Sequence, residues 1–260
     1  MHIKQTFAKF FADRGTHLAA MIAYFALLSF VPLLFLALAL LGLSGRVDES
    51  SYFVRELQKI FPGASISTTV EVIRTIQDNA TSLGIVGGAF LLWSSLSLFS
   101  VLESAFNIVY GRPNRSFLHG KALAIVFMLA SLVTLFAGLL AASFGAHLLN
   151  SYAPGFLGNS VAAYIISVVV SAVSIFLFLV SAYRYLTNTA LTVREVLPGA
   201  IVATVALEAT FQVLPVYLRL SNHVPAAQAF GGPVLLLIWL YVMSNVIVFG
   251  AELNWQRARR

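Results

Sequence analysis

Glu103 and Asn107 lie one helical turn apart inside WSSLSLFSVLESAFNIVYG (residues 93–111), a stretch otherwise composed for lipid. Ser97, Ser100 and Ser104 share their face. A second stripe, Thr204, Glu208 and Gln212, recurs at i, i+4 and i+8. GAELNW carries Glu252 and Asn254, with Asn245 about two turns deeper and Arg184 bordering another apolar run. Carboxylates and amides so placed can hold a proton, meet a cationic head group, line a polar cavity or lock helices by hydrogen bonds. A charge at the bilayer centre costs at least ~2.5–3.5 kcal/mol, so such groups face protein or water. For Glu103 and Asn107, cavity and lock both stay open. Glu252, close to the interface, reads as a lock. Glu208 reads towards function, because no basic residue appears at its depth. Arg184 is expected within bonding reach of Glu103 or Glu252, since all three approach one boundary.

Other chemistry lacks its residues. The five histidines (His2, His17, His119, His147, His223) have no metal-ligand spacing. There is no cysteine, so no thiolate nucleophile or cysteine metal site. No GxSxG elbow or phosphate-cradling glycine loop occurs, and Ser100–Glu103 has no base to make it a catalytic dyad. A nuclease needs clustered acids or histidines to hold metal against a phosphodiester; here the few acids are dispersed. No catalytic, cofactor-binding or metal residue is expected, nor is nucleic acid a partner.

The elements that position these groups follow from composition. Of 260 residues, 59% are hydrophobic and 10% charged, far below the roughly 25% charged of a soluble domain. Crossing a bilayer takes about 20 apolar residues. Six stretches qualify: 18–43, 83–110, 122–149, 161–183, 196–218 and 231–254. The first is too long for a signal-peptide core and lacks a cleavage site, so it is expected to be retained. Eleven Lys and Arg fall on the side of both termini and five on the other, which puts both ends in the cytoplasm by the positive-inside rule. The fold expected is all-α: one six-span polytopic membrane domain over 1–260, in a bacterial inner membrane.

Residues 1–17 are expected to form an amphipathic interfacial helix, with Ile3, Phe7, Phe10 and Phe11 on one face and Lys4, Lys9 and Arg14 elsewhere. The 44–82 loop is expected outside, as two short helices around Pro62-Gly63, the second capped by Ser65 and striped with Ile66, Val70, Ile73 and Ala80. Small residues mark helix packing faces: Ser131, Thr134, Gly138, Ala142 and Gly145 in the third span, and Ser167, Ser171, Ser174 and Ser181 in the fourth. Pro32 removes a backbone bond and favours a kink in the first span.

Four motifs resemble the YihY/BrkB family of bacterial inner-membrane proteins: AYFALLSFVPLLFLALALLG (23–42), LWSSLSLFSVLESAFNIVYG (92–111), YRYLTNTALTVREVLPGA (183–200) and FGGPVLLLIWLYVMSNVIVFGAELNW (230–255). Thr187 stands where the family pattern expects proline. The resemblance covers nearly the whole chain and implies six spans with both termini inside. It carries over Tyr24, Ser29 and Pro32 as a first-helix signature, with Glu103, Asn107, Arg184, Pro198, Gly199, Gly250, Glu252 and Asn254. The family has carried a tRNA-processing ribonuclease label, which these residues do not support. It has also been tied to virulence, serum resistance and envelope lipid or lipopolysaccharide transport.

Two functions remain in contention. One is a transporter or flippase of a lipid or amphipathic envelope component, passive or ion-coupled because no ATP-binding motif is present. The other is a non-transporting scaffold or envelope-assembly factor, with an intramembrane lipid enzyme as a weaker third. Membrane lipids are the expected partners. A homo-oligomer is compatible with the chain, and no protein partner is indicated.

Overall fold

The structure, a computed structural model, describes residues 3–43, 80–130, 160–221 and 225–259. Among them every regular element is a helix: α1 (Ile3–Ala12), α2 (Gly15–Leu43), α3 (Ala80–Tyr110), α4 (Phe117–Ala130), α5 (Ser160–Tyr185), α6 (Val193–Ser221) and α7 (Pro225–Ala258). In an apolar solvent each backbone group needs an internal partner, which a helix supplies within its own segment. Four stretches are long and apolar enough to cross a membrane by length and composition: Gly88–Tyr110, Tyr164–Tyr185, Val193–Val213 and Val234–Ala258. Gly15–Phe30 and Phe117–Ala130 are shorter apolar helices. The protein is thus an all-α, polytopic membrane protein; its six-span count rests on the sequence. The 44–79 part of the expected outer loop, the 131–149 stripe and the Pro32 side chain lie outside the described residues. Ala80, assigned above to that loop, opens α3 instead.

Packing divides the chain into two compact units, Met1–Gly15 with Leu102–Thr210 and Val246–Arg260, and Thr16–Val101 with Phe211–Asn245. In the first, the helix ends are built by local chemistry. α3 stops at Gly111, whose φ of +62° suits a residue without Cβ. Gly111 N–H donates to Ile108 O at 3.0 Å and Arg112 N–H to Asn107 O at 2.8 Å, the paired bonds of a Schellman motif. α6 starts at Thr192, whose backbone N–H and hydroxyl both donate to Glu195 Oε2 at 2.7 Å, one arm of a capping box. α1 closes on Arg14 at φ +56°, and a Cβ on the next residue, Gly15, would run into the Phe10 ring.

The amphipathic segment differs from its expected role. α1 covers 3–12 rather than 1–17 and docks on α7. Phe10 is buried and Phe7 and Phe10 pack on Phe249, with ring centroids 4.7 and 6.0 Å away. Thr6 hydrogen-bonds Gln256 at 2.5 Å. A protein surface takes part of the apolar face assigned above to lipid, leaving Phe7 and Phe11 49% and 63% exposed.

In the second unit, hydroxyls and amides within apolar helices turn back onto their own helix. Ser29 donates to Phe25 O, Ser97 to Trp93 O, Ser244 to Leu240 O and Asn245 to Tyr241 O, all at 2.7–2.9 Å. Each bond satisfies the side-chain donor on the carbonyl four residues back, without needing a partner helix. Tyr24 is exposed and meets Phe25 edge-on.

Candidate functional site

The candidate residues of the first unit gather at the turns where α3 and α5 end and at the α6–α7 crossing. Glu103 is 4% exposed. Its Oε1 accepts from Arg115 Nη1 at 3.1 Å and from Arg115 backbone N–H at 3.4 Å. A Cβ on Gly120 would lie 3.1 Å from its Oε2, so the absence of a side chain there leaves room for the carboxylate. Arg115 also donates to Leu186 O at 2.6 Å, Thr187 O at 2.9 Å and Tyr185 O at 3.1 Å. The last carbonyls of a helix lack intrahelical donors and carry partial negative charge, so one guanidinium ends α5 and neutralises Glu103 together. Its planar fork of five donors suits this, where an ammonium would not span the three carbonyls.

Asn107, fully buried, stitches the same two turns. Its Oδ1 accepts from Asn188 N–H at 2.6 Å, while its Nδ2 donates to Asn114 Oδ1 at 3.1 Å. Asn114 passes the chain on to Ser104 at 2.7 Å, and Asn188 Nδ2 reaches Pro113 O at 2.9 Å. Thr187, the residue in the place of the family's proline, bonds Tyr183 O at 2.8 Å and is buried.

Glu252 and Asn254 form a second centre. Both are 0% exposed. Lys9 Nζ lies 2.9 Å from Glu252 Oε2 and donates to Val109 O at 2.8 Å and to Asp13 Oδ2. Asn254 Oδ1 accepts from Gly199 N–H at 2.7 Å, one residue past Pro198. A Cβ on Gly199 would strike Gly250 O, and one on Gly250 would strike Tyr183 Oη, so α6 and α7 cross backbone to backbone. Tyr183 caps the crossing with a 2.8 Å bond to Ile247 O.

The remaining candidates fall elsewhere. Glu208, midway along α6 and half-buried, accepts from Ser171 Oγ of α5 at 2.9 Å. Gln212 and Asn245 belong to the second unit and Gln212 is exposed. Arg184 does not take the expected ion pair: Glu103 pairs with Arg115 and Glu252 with Lys9, while Arg184 stacks over the Tyr185 ring, 5.2 Å from its centroid. The reason is geometric. Arg115 can reach the α5 carbonyls and Glu103 at once, and α1 delivers Lys9 beside α7. Sequence reasoning missed both cations. The available signal was that each buried carboxylate needs a cation and that the 112–115 turn and α1 hold the nearest unassigned ones. Among the described residues no group of three or more His, Asp or Glu is placed to hold a metal ion.

Residues 6–260 match the family model described as Virulence factor BrkB. The putative ribonuclease-like protein YfkH of Bacillus subtilis (strain 168) is 26% identical over 260 residues, spanning 97% of this chain and 93% of its own. The UPF0761 membrane protein PSHAa0171 of Pseudoalteromonas translucida (strain TAC 125) is 26% identical over 252 residues, 93% of this chain and 81% of its own. A UPF0761 membrane protein of Azotobacter vinelandii is 27% identical over 267 residues, 98% of this chain and 63% of its own. No solved structure matches the chain.

Proposed function

The chain belongs to the BrkB family of membrane proteins, and from that premise we propose that it moves a lipid or another amphipathic envelope component across a bacterial inner membrane, passively or coupled to an ion. The observation that carries this reading is the Ser171–Glu208 pair. A carboxylate midway along a span and only half-buried is costly to keep. Ser171 Oγ donates to it at 2.9 Å across the α5–α6 contact. Such a group can exchange a proton or meet a cationic head group as it passes. The excess of basic residues on the side of the termini supports cytoplasmic ends. Single cysteines at Ser51 and Arg259 of this thiol-free chain test that orientation. An impermeant thiol reagent on intact cells is expected to label Ser51→Cys and not Arg259→Cys; the reverse pattern overturns it.

A scaffold or envelope-assembly role is the second reading, favoured by the interlocked Glu103, Asn107, Glu252 and Asn254, each buried and bonded into the fold. These carboxylates serve structural bonds, so we assign the protein no enzymatic activity. The ribonuclease-like name belongs to the Bacillus relative. Reconstitution into liposomes with labelled phospholipid separates the two readings. Leaflet exchange above that of protein-free vesicles supports transport, and exchange equal to it leaves the scaffold.

A further inference from the structure

A cleft of about 410 Å3 is lined by Gln5, Thr6 and Lys9 of α1 and by Glu252, Trp255, Gln256 and Arg259 at the end of α7. That volume lies in the range of small-molecule sites, roughly 300–1,000 Å3. Glu252 lines the cleft yet has no exposed surface. Its Oε2 faces Lys9, while its Oε1 has no hydrogen-bond partner among the described residues. A buried carboxylate oxygen without a donor costs free energy and marks a place for one. Lys9 also faces Asp13, so one ammonium answers two carboxylates. Arg259, which also lines the cleft, has no carboxylate partner among the described residues. It and Lys9 both lie against the Trp255 ring, 4.4 and 4.2 Å from its centroid. The lining of the cleft therefore brings together a carboxylate acceptor, an indole and a guanidinium stacked on that indole. It also sits where the apolar Val234–Ala258 run ends, and Trp and Arg at the end of a span mark the level of lipid head groups.

We propose that this cleft binds a phosphoethanolamine headgroup. Its primary ammonium donates to Glu252 Oε1, its phosphate pairs with Arg259 and its two-carbon link lies along Trp255. This assigns recognition of a zwitterion and holds whether or not the protein moves lipid. A phosphate alone would leave Oε1 without a donor, and a trimethylated ammonium has no N–H to offer it.

The test uses the full chain in phosphatidylglycerol nanodiscs doped with phosphatidylethanolamine, its N,N-dimethyl form or phosphatidylcholine, scored by melting temperature and by lipid retained in native mass spectrometry. The two lipids that keep an N–H are expected to be retained and to raise the melting temperature saturably; phosphatidylcholine is not. Glu252→Gln would break the Lys9 pair and endanger the fold, so the lipid series probes that carboxylate without mutation. Arg259→Ala, at an exposed position, is expected to leave stability in pure phosphatidylglycerol unchanged and to weaken phosphatidylethanolamine binding roughly tenfold or more, as losing a charge-assisted hydrogen bond does. Soluble phosphoethanolamine that competes identifies a water-soluble ligand, and failure to compete while the lipid binds identifies the membrane as the source; both uphold the chemistry. Equal retention of phosphatidylethanolamine and phosphatidylcholine, or a preference untouched by Arg259→Ala, overturns it.

Discussion

At the scale of single residues, Arg115 and Gly199 bear the largest structural demands. Arg115 holds Glu103 and three carbonyls at the end of α5, and removing one member of such a pair strands a buried charge. Arg115→Ala is expected to lose about 3–5 kcal/mol, read as a large fall in melting temperature in detergent. Arg184→Ala, which among the described residues removes a stack on Tyr185, is expected to stay within about 0.5 kcal/mol of the parent. An equal loss from both would return Arg184 to the network. Gly199→Ala pushes a methyl group into Gly250 O and is expected to cost about 1–3 kcal/mol or more as overpacking does. Gly88→Ala, with open space around its Cβ, is expected to gain up to about 1 kcal/mol through helix propensity. The positions of Glu103, Asn107, Glu252 and Asn254 were legible as polar groups in apolar runs. Their partners were not, because depth along a span fixes a level and leaves the path of a connecting turn open.

At the scale of elements, α1 contributes more than an amphipathic surface. Its periodicity was legible, since Phe7, Phe10 and Phe11 recur at helical spacing. What covers that face was not, because lipid and a neighbouring helix look alike to an apolar stripe. The contact that decides it, Lys9 with Glu252, joins residues near opposite ends of the chain. Either Lys9→Met or Glu252→Gln alone is expected to destabilise by about 3–5 kcal/mol, and the double variant by clearly less than their sum. Melting curves of the four proteins give the coupling; strict additivity would show that α1 docks without this pair. Helix boundaries were legible to within a few residues for α3 and α5, where Gly111 and the 186–192 turn interrupt the apolar run. α7 runs on to Ala258, past the sequence limit of 254, because its last turn is held by α1 rather than by hydrophobicity.

For the whole molecule, polar groups divide by role. At the α3–α5 turns and the α6–α7 crossing they are buried, paired and committed to holding helices together. Midway along α6, Glu208 is bonded to Ser171 and stays half-buried. The membrane class was legible from hydropathy alone, and the family from four motifs in order; the division we propose between lock and working residue was not, since both are written as Glu and Asn in apolar sequence. The central claim is that Glu208 works and Glu103 locks. The most direct measurement compares Glu208→Gln with Glu103→Gln in the same liposomes, recording phospholipid exchange across pH 6–8 and melting temperature for each. Glu208→Gln keeps shape and hydrogen bonding but cannot ionise. It is expected to keep the parental melting temperature and lose most of the exchange, roughly tenfold or more if about 1.4 kcal/mol of barrier depends on it. Glu103→Gln is expected to lose melting temperature and to keep the rate per folded molecule. Full exchange by Glu208→Gln across that pH range would contradict the account.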